Sequence, residues 1–305
     1  LPFPARDLIN MEKYIKIGLP IGPFTRKDRV EQVFTSRGCP FHCNFCSSSN
    51  YFGHKFRMRS VDNIIQEIEG LINNYKINEI QFPDDNLTLN KQRAKNLFKR
   101  LKEYNLSWCT PNGVMIKTLD EEMIKLMAES GAYQITLAIE SGSERVLKDI
   151  IHKPVPPKTE IKKLVDLCRQ YKIQTHGTLI VGFPRETKEE IFQTLNYPFD
   201  IGLDSVSYFI ANPLPGSELY EECKKKGYLK NTGNKIDVKS AEIFIPENSP
   251  EYIMSTKELE ELVDNKTKEF NDFSKKKNPE IWNKKFEEFL KKNKDDENLI
   301  FGRVT

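Results

Sequence analysis

The chain has 305 residues, 38 % of them hydrophobic and 30 % charged, with a formal net charge of +3. That length holds one large α/β domain with an appendage, or two domains, and so small a net charge gives no electrostatic case for nucleic acid as a partner. No apolar run approaches the roughly 18 residues of a membrane span, and Leu1-Pro2-Phe3-Pro4 has neither the basic nor the apolar region of a signal peptide.

Residues 1 to 30 are rich in Pro and Gly (Pro2, Pro4, Gly18, Pro20, Gly22, Pro23) and read as a linker or N-terminal extension packed on a neighbour. A short strand is expected from about Glu31 to Ser36, running straight into Ser36-Arg37-Gly38-Cys39-Pro40-Phe41-His42-Cys43-Asn44-Phe45-Cys46. From Ser60 to Asn74 the apolar residues Val61, Ile64, Ile65, Ile68, Leu71 and Ile72 keep helical spacing, with Ser60 or Asp62 as cap. A strand over Ile77–Phe82 ends in Pro83-Asp84-Asp85-Asn86, and a helix follows from about Asn90 to Tyr104. A third strand over Ser107–Thr110 runs into Pro111-Asn112-Gly113, and a helix starts near Asp120 and stops at Gly131. Tyr133–Ile139 is a fourth strand ending in Glu140-Ser141-Gly142, followed by a broken helical stretch reaching Tyr171. Lys172–Val181 is a fifth, ending in Gly182-Phe183-Pro184 with Glu186-Thr187 beyond, then a helix from about Lys188 to Ile201. Ser205–Ile210 is a sixth, ending in Asn212-Pro213-Leu214-Pro215-Gly216, with a short helix over Glu218–Lys226.

Six strand–helix units in succession argue for parallel strands joined by crossover helices. A doubly wound open sheet satisfies that pattern. The polar segments all fall at strand C-termini, and they come from different strands, which favours a partial (β/α)6 open barrel over residues 31–227. Residues 228–305 then form a mainly helical C-terminal appendage. There a Lys- and Glu-rich face accompanies an aromatic stripe (Phe270, Phe273, Trp282, Phe286, Phe289).

Cys39, Cys43 and Cys46 crowd three thiols into eight residues, spaced C-x3-C-x2-C. An odd number cannot all pair as disulfides, and thiolates suit iron–sulfur clusters or zinc. Three ligands on a four-iron cube leave one iron open. A closed zinc site requires a fourth ligand, for which His42 or His54 is at hand. Cys109, Cys168 and Cys223 lie scattered on regular segments and read as small buried hydrophobes. This cysteine usage reads as a reducing, cytoplasmic compartment. The sequence opens without Met and stops without a clear ending, as a piece of a longer protein does.

The thiol spacing, with Phe45 just before the last cysteine, resembles the radical S-adenosylmethionine (SAM) superfamily, and the resemblance covers about residues 31–227. It implies a [4Fe–4S] cluster on Cys39, Cys43 and Cys46, with SAM chelated to the open iron. Reductive cleavage of SAM then yields a 5′-deoxyadenosyl radical, with a low-potential ferredoxin or flavodoxin as electron donor and an organic substrate in the barrel mouth. It further implies that Phe45 lies against the adenine. Asp85, in preference to Asp84, receives the methionine ammonium. Glu140 and Ser141 contact the ribose and carboxylate, Gly182 lies on the adenine side, and Asn212 on the substrate side. Each of these segments also has a plainer reading as a turn or helix cap. His176 is either a substrate-side, proton-handling residue or a satisfied core histidine. The segments together resemble best the subfamily whose members usually carry an N-terminal cobalamin-binding domain. No Asp-x-His-x-x-Gly motif occurs in this sequence, so cobalamin is expected on a domain outside it. Methylation or C–C bond formation is the reaction implied. The rivals are a cobalamin-free radical oxidation or rearrangement, and a non-catalytic iron–sulfur or zinc protein.

Overall fold

The structure is a computed structural model and describes residues 2–17, 25–230 and 242–279. In chain order it has α1 (Met11–Ile17), β1 (Val30–Gln32), β2 (Ser36–Arg37), α2 (Ser48–Phe52), β3 (Arg57–Met58), α3 (Val61–Tyr75), β4 (Glu79–Gln81), α4 (Lys91–Leu101) and β5 (Ser107–Val114). It continues with α5 (Glu121–Glu129), β6 (Ala132–Glu140), a π-helix at Val146–Ile151, α6 (Lys158–Gln170), β7 (Gln174–Val181), α7 (Lys188–Ile201), β8 (Ser205–Ile210), α8 (Glu218–Lys226) and α9 (Thr256–Lys277). Six strands make one sheet in the order β1-β4-β5-β6-β7-β8. The β1/β4, β4/β5, β5/β6 and β7/β8 ladders run parallel, as strands joined by helical crossovers do. β2 and β3 pair antiparallel as a separate hairpin. The α/β class with six parallel strands, expected from the alternation of strand and helix, is the class adopted.

Two compact units divide the chain. The first comprises Leu1–Gly38, Phe56–Leu137 and Lys163–Thr175. Its core centres on Trp108, stacked on Phe98 at 4.9 Å and met edge-on by Phe82 at 5.5 Å, a geometry that adds to the gain from burial alone. Helices α3, α4 and α5 begin at side-chain caps, Ser60, Asn90 and Asp120, each accepting a backbone N–H three residues on.

Two strands differ from expectation here. β1 stops at Gln32, and residues 36–37 leave the sheet to pair with Arg57–Met58. The cause is chemical: the Asp84 carboxylate takes the Thr35 N–H, so the ladder has no donor to continue with. β5 runs on to Val114, with its register shifted between Thr110 and Val114, so Pro111-Asn112-Gly113 is absorbed as an irregularity within the strand. Residues 11–17 form α1 inside the stretch expected as linker, because Met11 and Ile15, one turn apart, are both buried.

The second unit comprises Cys39–Lys55, Ala138–Lys162 and His176–Thr305. Its core gathers Val146, Leu147, Ile150 and Ile151 of the π-helix with Ile180, Phe183, Ala211 and Leu219. Cys43 and Phe45 pack against that cluster. α9 starts at a capping box of Ser255 and Glu258 and docks through Phe270, edge-on to Phe199 at 5.0 Å. Ser274 donates to the Asp204 carbonyl at 2.5 Å, and the Asn278 amide donates to the Asp204 carboxylate at 3.0 Å. Residues 18–24 of the expected linker, and Trp282, Phe286 and Phe289 of the expected appendage, lie outside the described residues.

Candidate functional site at the strand ends

In the second unit the cysteine loop is fixed by its backbone. The Asn44 N–H donates to the Ile151 carbonyl at 3.0 Å, and the Asn44 carbonyl accepts from the Leu219 N–H at 2.8 Å. One residue thus ties the loop to the π-helix and to α8. The Cys46 N–H donates to the Cys43 carbonyl at 3.0 Å, turning the chain between those two thiols. The Ser48 N–H donates to Cys46 Sγ at 3.4 Å. All three thiols are half-buried.

Burial pushes the Cys43 thiol up to about 12; the Lys153 ammonium nearby pulls the other way, and Glu140 and the other two thiols add to the rise. Such a thiol becomes a thiolate by taking a cation, and a coordinating metal deprotonates it outright. Three half-buried thiols on a tied loop, one of them already accepting a backbone N–H, suit an iron–sulfur cluster. Among the described residues no three His, Cys, Asp or Glu side chains gather as they do around a single metal ion. His42 and His54, the candidates for a fourth zinc ligand, stack on each other with ring centroids 4.0 Å apart. Cys109, Cys168 and Cys223 are fully buried, as small hydrophobes are.

Glu140 ends β6 with φ +69, a left-handed conformation that costs a non-glycine residue about 1–2 kcal/mol. Its carboxylate accepts from Lys153 Nζ at 2.6 Å. The π-helix, a widened turn of the kind common at functional sites, lies between the two partners in sequence. Lys153 is a site neighbour that sequence reasoning missed, since no local pattern announces a partner thirteen residues away. The Ser141 hydroxyl is engaged within the fold, meeting Thr194 Oγ1 at 2.9 Å and accepting the Ser143 N–H at 3.1 Å. Beside Ser141 and Gly142 opens a cavity of about 820 Å³ whose lining includes His152, Lys153 and Tyr197.

Gly182 follows β7 with φ +87, and a Cβ there would meet Leu259 Cδ2 at 2.6 Å, so only glycine fits. Glu186 Oε2 clasps this turn, accepting the Gly182 and Phe183 N–H groups at 2.6 and 3.1 Å. Burial pushes the Glu186 carboxyl up to about 8 in spite of those bonds. Phe183 lies 6.2 Å from Phe45 of the cysteine loop, ring centroid to ring centroid. In the loop after β8, the Asn212 carbonyl accepts the Leu214 N–H at 3.0 Å. At Gly216 a Cβ would meet Asn50 Nδ2 of α2 at 2.2 Å, so that loop packs tightly against the helix that follows the cysteines. His176 is buried with both ring nitrogens bonded, to Ser205 Oγ at 2.8 Å and Ser207 Oγ at 3.1 Å, and burial holds its pKa down at about 4. That is the geometry of a satisfied core histidine.

In the first unit the Asp84-Asp85-Asn86 segment splits. Asp84 accepts from the Thr35 N–H, from Thr35 Oγ1 at 2.6 Å and from Ser36 Oγ at 2.5 Å. Burial raises its pKa while those bonds and the nearby Arg93 lower it. Arg93 in turn donates to the Thr35 carbonyl, to Thr35 Oγ1 and to the Leu87 carbonyl. Asp84 is therefore built into the fold, and Asp85 is the half-exposed carboxylate of the segment.

A tied loop of three thiols, a strained carboxylate at the end of β6 and a tight glycine turn after β7 define an α/β protein that carries its candidate reactive groups on loops and strand ends. Residues 33–197 match the family model described as the Radical SAM superfamily, and the chain belongs to that superfamily. Membership of that superfamily implies SAM and a [4Fe–4S] cluster. The chain is 42 % identical over 235 residues to cytidylyl-2-hydroxyethylphosphonate methyltransferase of Streptomyces wedmorensis, covering 75 % of this chain and 44 % of that protein. It is 38 % identical over 221 residues to an uncharacterised methyltransferase of Pyrococcus horikoshii, covering 72 % and 46 %. Among solved structures it is similar to the radical SAM methyltransferase TsrM of Kitasatospora setae with cobalamin and a [4Fe–4S] cluster bound. That likeness has a TM-score of 0.59 and 18 % identity, covers 67 % of this chain and 38 % of the other, and shows a shared fold. The chain spans less than half the length of these two curated relatives. No helix among the described residues is long and apolar enough to cross a membrane.

Proposed function

We propose that this chain is the SAM-cleaving part of a methyltransferase that acts on an organic substrate, with cobalamin as methyl carrier on a part of the protein outside this sequence. Cys39, Cys43 and Cys46 would hold the cluster. With cluster and SAM bound, the cluster supplies the electron that breaks a carbon–sulfur bond of the sulfonium. The chain's own residues position and screen that event. Glu140 offers its carboxylate to the ribose, with Lys153 beside it to balance charge. Asp85 offers a charge-assisted acceptor to the methionine ammonium. Phe45 and the Gly182-Phe183 turn, held by Glu186, give the adenine an apolar seat, while Ser141 fixes the backbone between Glu140 and Thr194. Asn212 faces the substrate. A low-potential ferredoxin or flavodoxin delivers electrons.

One observation carries the reading. Lys153 and Glu140 both act electrostatically on Cys43, so thiols and strained carboxylate share one neighbourhood, in a chain 42 % identical to a methyltransferase. The test is anaerobic reconstitution with iron and sulfide, reduction by dithionite, and assay of 5′-deoxyadenosine and S-adenosylhomocysteine with and without added hydroxocobalamin, which on reduction can accept the methyl group of SAM. Cobalamin-dependent S-adenosylhomocysteine is the expected result. 5′-Deoxyadenosine that forms while cobalamin changes nothing would replace methyl transfer with hydrogen abstraction. An intact cluster with neither product would remove the enzymatic reading for this chain alone.

A further inference from the structure

A second cavity of the second unit, of about 110 Å³, lies between the Gly182–Phe183 turn, the end of β8 at Ile210, the start of α9 and residues 243–256. Its walls are mostly apolar, with Phe183, Ile210, Ile243, Ile245, Ile253 and Leu259 among them. An apolar cavity of about 150 Å³ holds a benzene molecule, so this one suits a group of about five non-hydrogen atoms. Its place is defined by the turn. Gly182 has no Cβ to fill the space toward Leu259 of α9, while Phe183 reaches Phe45 of the cysteine loop. Ile243 and Ile245 pack on the same apolar cluster as Cys43 and Phe45. The cavity is thus a neighbour of the cysteine loop within one unit, and none of the three clustered thiols lines it.

The charges on the lining are of one sign. Glu247 and Glu251 line the cavity, and among the described residues that do so there is no Lys, Arg or His. Glu251 Oε1 accepts from Lys226 Nζ at 2.6 Å, and the same ammonium serves Glu222 at 2.8 Å, so one cation is shared by two carboxylates. Glu251 Oε2 is buried and has no hydrogen-bond partner among the described residues. A buried acceptor left without a donor is costly, and a ligand that brings a donor removes the cost. Glu247 is exposed. The N-terminus of α9 also meets the cavity, at Ser255 and Thr256. Its positive end is already answered from within, because the Glu258 carboxylate accepts the Ser255 N–H at 2.8 Å. Phe183, Phe244 and Tyr252 put three aromatic rings on the lining, and aromatic rings attract cations.

An apolar pocket with aromatic walls, two carboxylates and an orphaned acceptor oxygen matches a cation carrying a small hydrocarbon body. Hydrogen bonds from an ammonium to a carboxylate are of the strong, charge-assisted kind. We propose that this cavity binds a small aliphatic amine, its ammonium donating to Glu251 Oε2 and its hydrocarbon lying against Ile245, Ile253 and Leu259. The inference stands on the cavity alone and does not depend on methyl transfer.

Isobutylamine is the probe, titrated into the full chain with its cluster reconstituted and followed by saturation-transfer NMR at low ionic strength; isobutanol, isobutyrate and methylamine are the comparisons. Isobutylamine is expected to bind more tightly than all three and to weaken as salt is raised. Glu251→Gln is expected to cost isobutylamine about tenfold in affinity, roughly 1.4 kcal/mol, and to leave isobutanol unchanged. Ile253→Phe, which adds bulk to the wall, is expected to abolish binding of both. Glu251 and Ile253 are both half-buried, and Lys226 keeps Glu222 when Glu251 is changed, so the variants fold; unchanged melting temperature and iron content verify this. Glu251→Gln gives the decisive arm, because it alters charge and leaves volume as it was. Absence of isobutylamine binding, binding that Glu251→Gln leaves intact, or equal affinity for isobutanol would each overturn the proposal.

Discussion

Asp84 and Glu140 are both buried carboxylates at the C-terminal ends of parallel strands, one in each unit, and they are put to opposite uses. Asp84 accepts from a backbone N–H and two hydroxyls and is steadied by Arg93. Glu140 has a strained backbone and, among the described residues, a single lysine partner. Saturating a buried carboxylate makes it part of the framework. Leaving one with spare acceptor capacity, on a backbone that the rest of the fold holds in an uncommon conformation, keeps it ready for something else.

Substitutions can break this contrast or sharpen it. The largest effect is expected at the thiols. Cys43→Ala should abolish cluster-dependent 5′-deoxyadenosine formation, while Cys168→Ala, in a fully buried apolar position, should leave it. Equal loss in both would take the cysteine loop out of the site. Asp84→Ala comes next. It strands Thr35, Ser36 and Arg93 and should lower stability by about 3–5 kcal/mol in urea titration, as breaking a buried charged network does. If Glu140→Ala proves equally destabilising, the two carboxylates are both framework and the distinction fails.

A third carboxylate tests the same idea through pH. The folded pKa of Glu186, about 8, lies above the ordinary carboxylate value of 4.5. The folded state therefore binds more protons than the unfolded state between those limits. Its stabilising contribution is complete below about pH 4.5 and is lost as pH rises to about 8. Glu186→Gln should flatten that decline in denaturation curves taken across the window, and an unchanged slope would assign it to another group. The smallest effect is expected for Glu140→Gln. SAM affinity should fall about tenfold, roughly 1.4 kcal/mol, with iron content and melting temperature unaltered. Retained affinity would remove Glu140 from the SAM site.

Much of this was legible in sequence wherever local signals agreed. Ser205–Ile210 and Glu218–Lys226 appear with the bounds expected of them. The thiol spacing pointed to a cluster before any coordinates did. Side chains acting at long range were not legible. β1 ends early because Asp84, 49 residues away, intercepts Thr35. The bond between the Ser141 hydroxyl and Thr194, 53 residues on, left no local signal either. His176 had two readings until Ser205 and Ser207, two residues apart on β8 and so on one face of it, were seen to bond both ring nitrogens. Lys153 reaches Glu140 across a π-helix, whose irregular turn leaves no periodic trace.

The double backbone tie at Asn44 bears on what shapes the cysteine loop. Its two partners, Ile151 and Leu219, belong to separately formed helical segments, and neither bond involves a sulfur atom. The loop's curvature at Asn44 is therefore set by backbone hydrogen bonds rather than by its thiols.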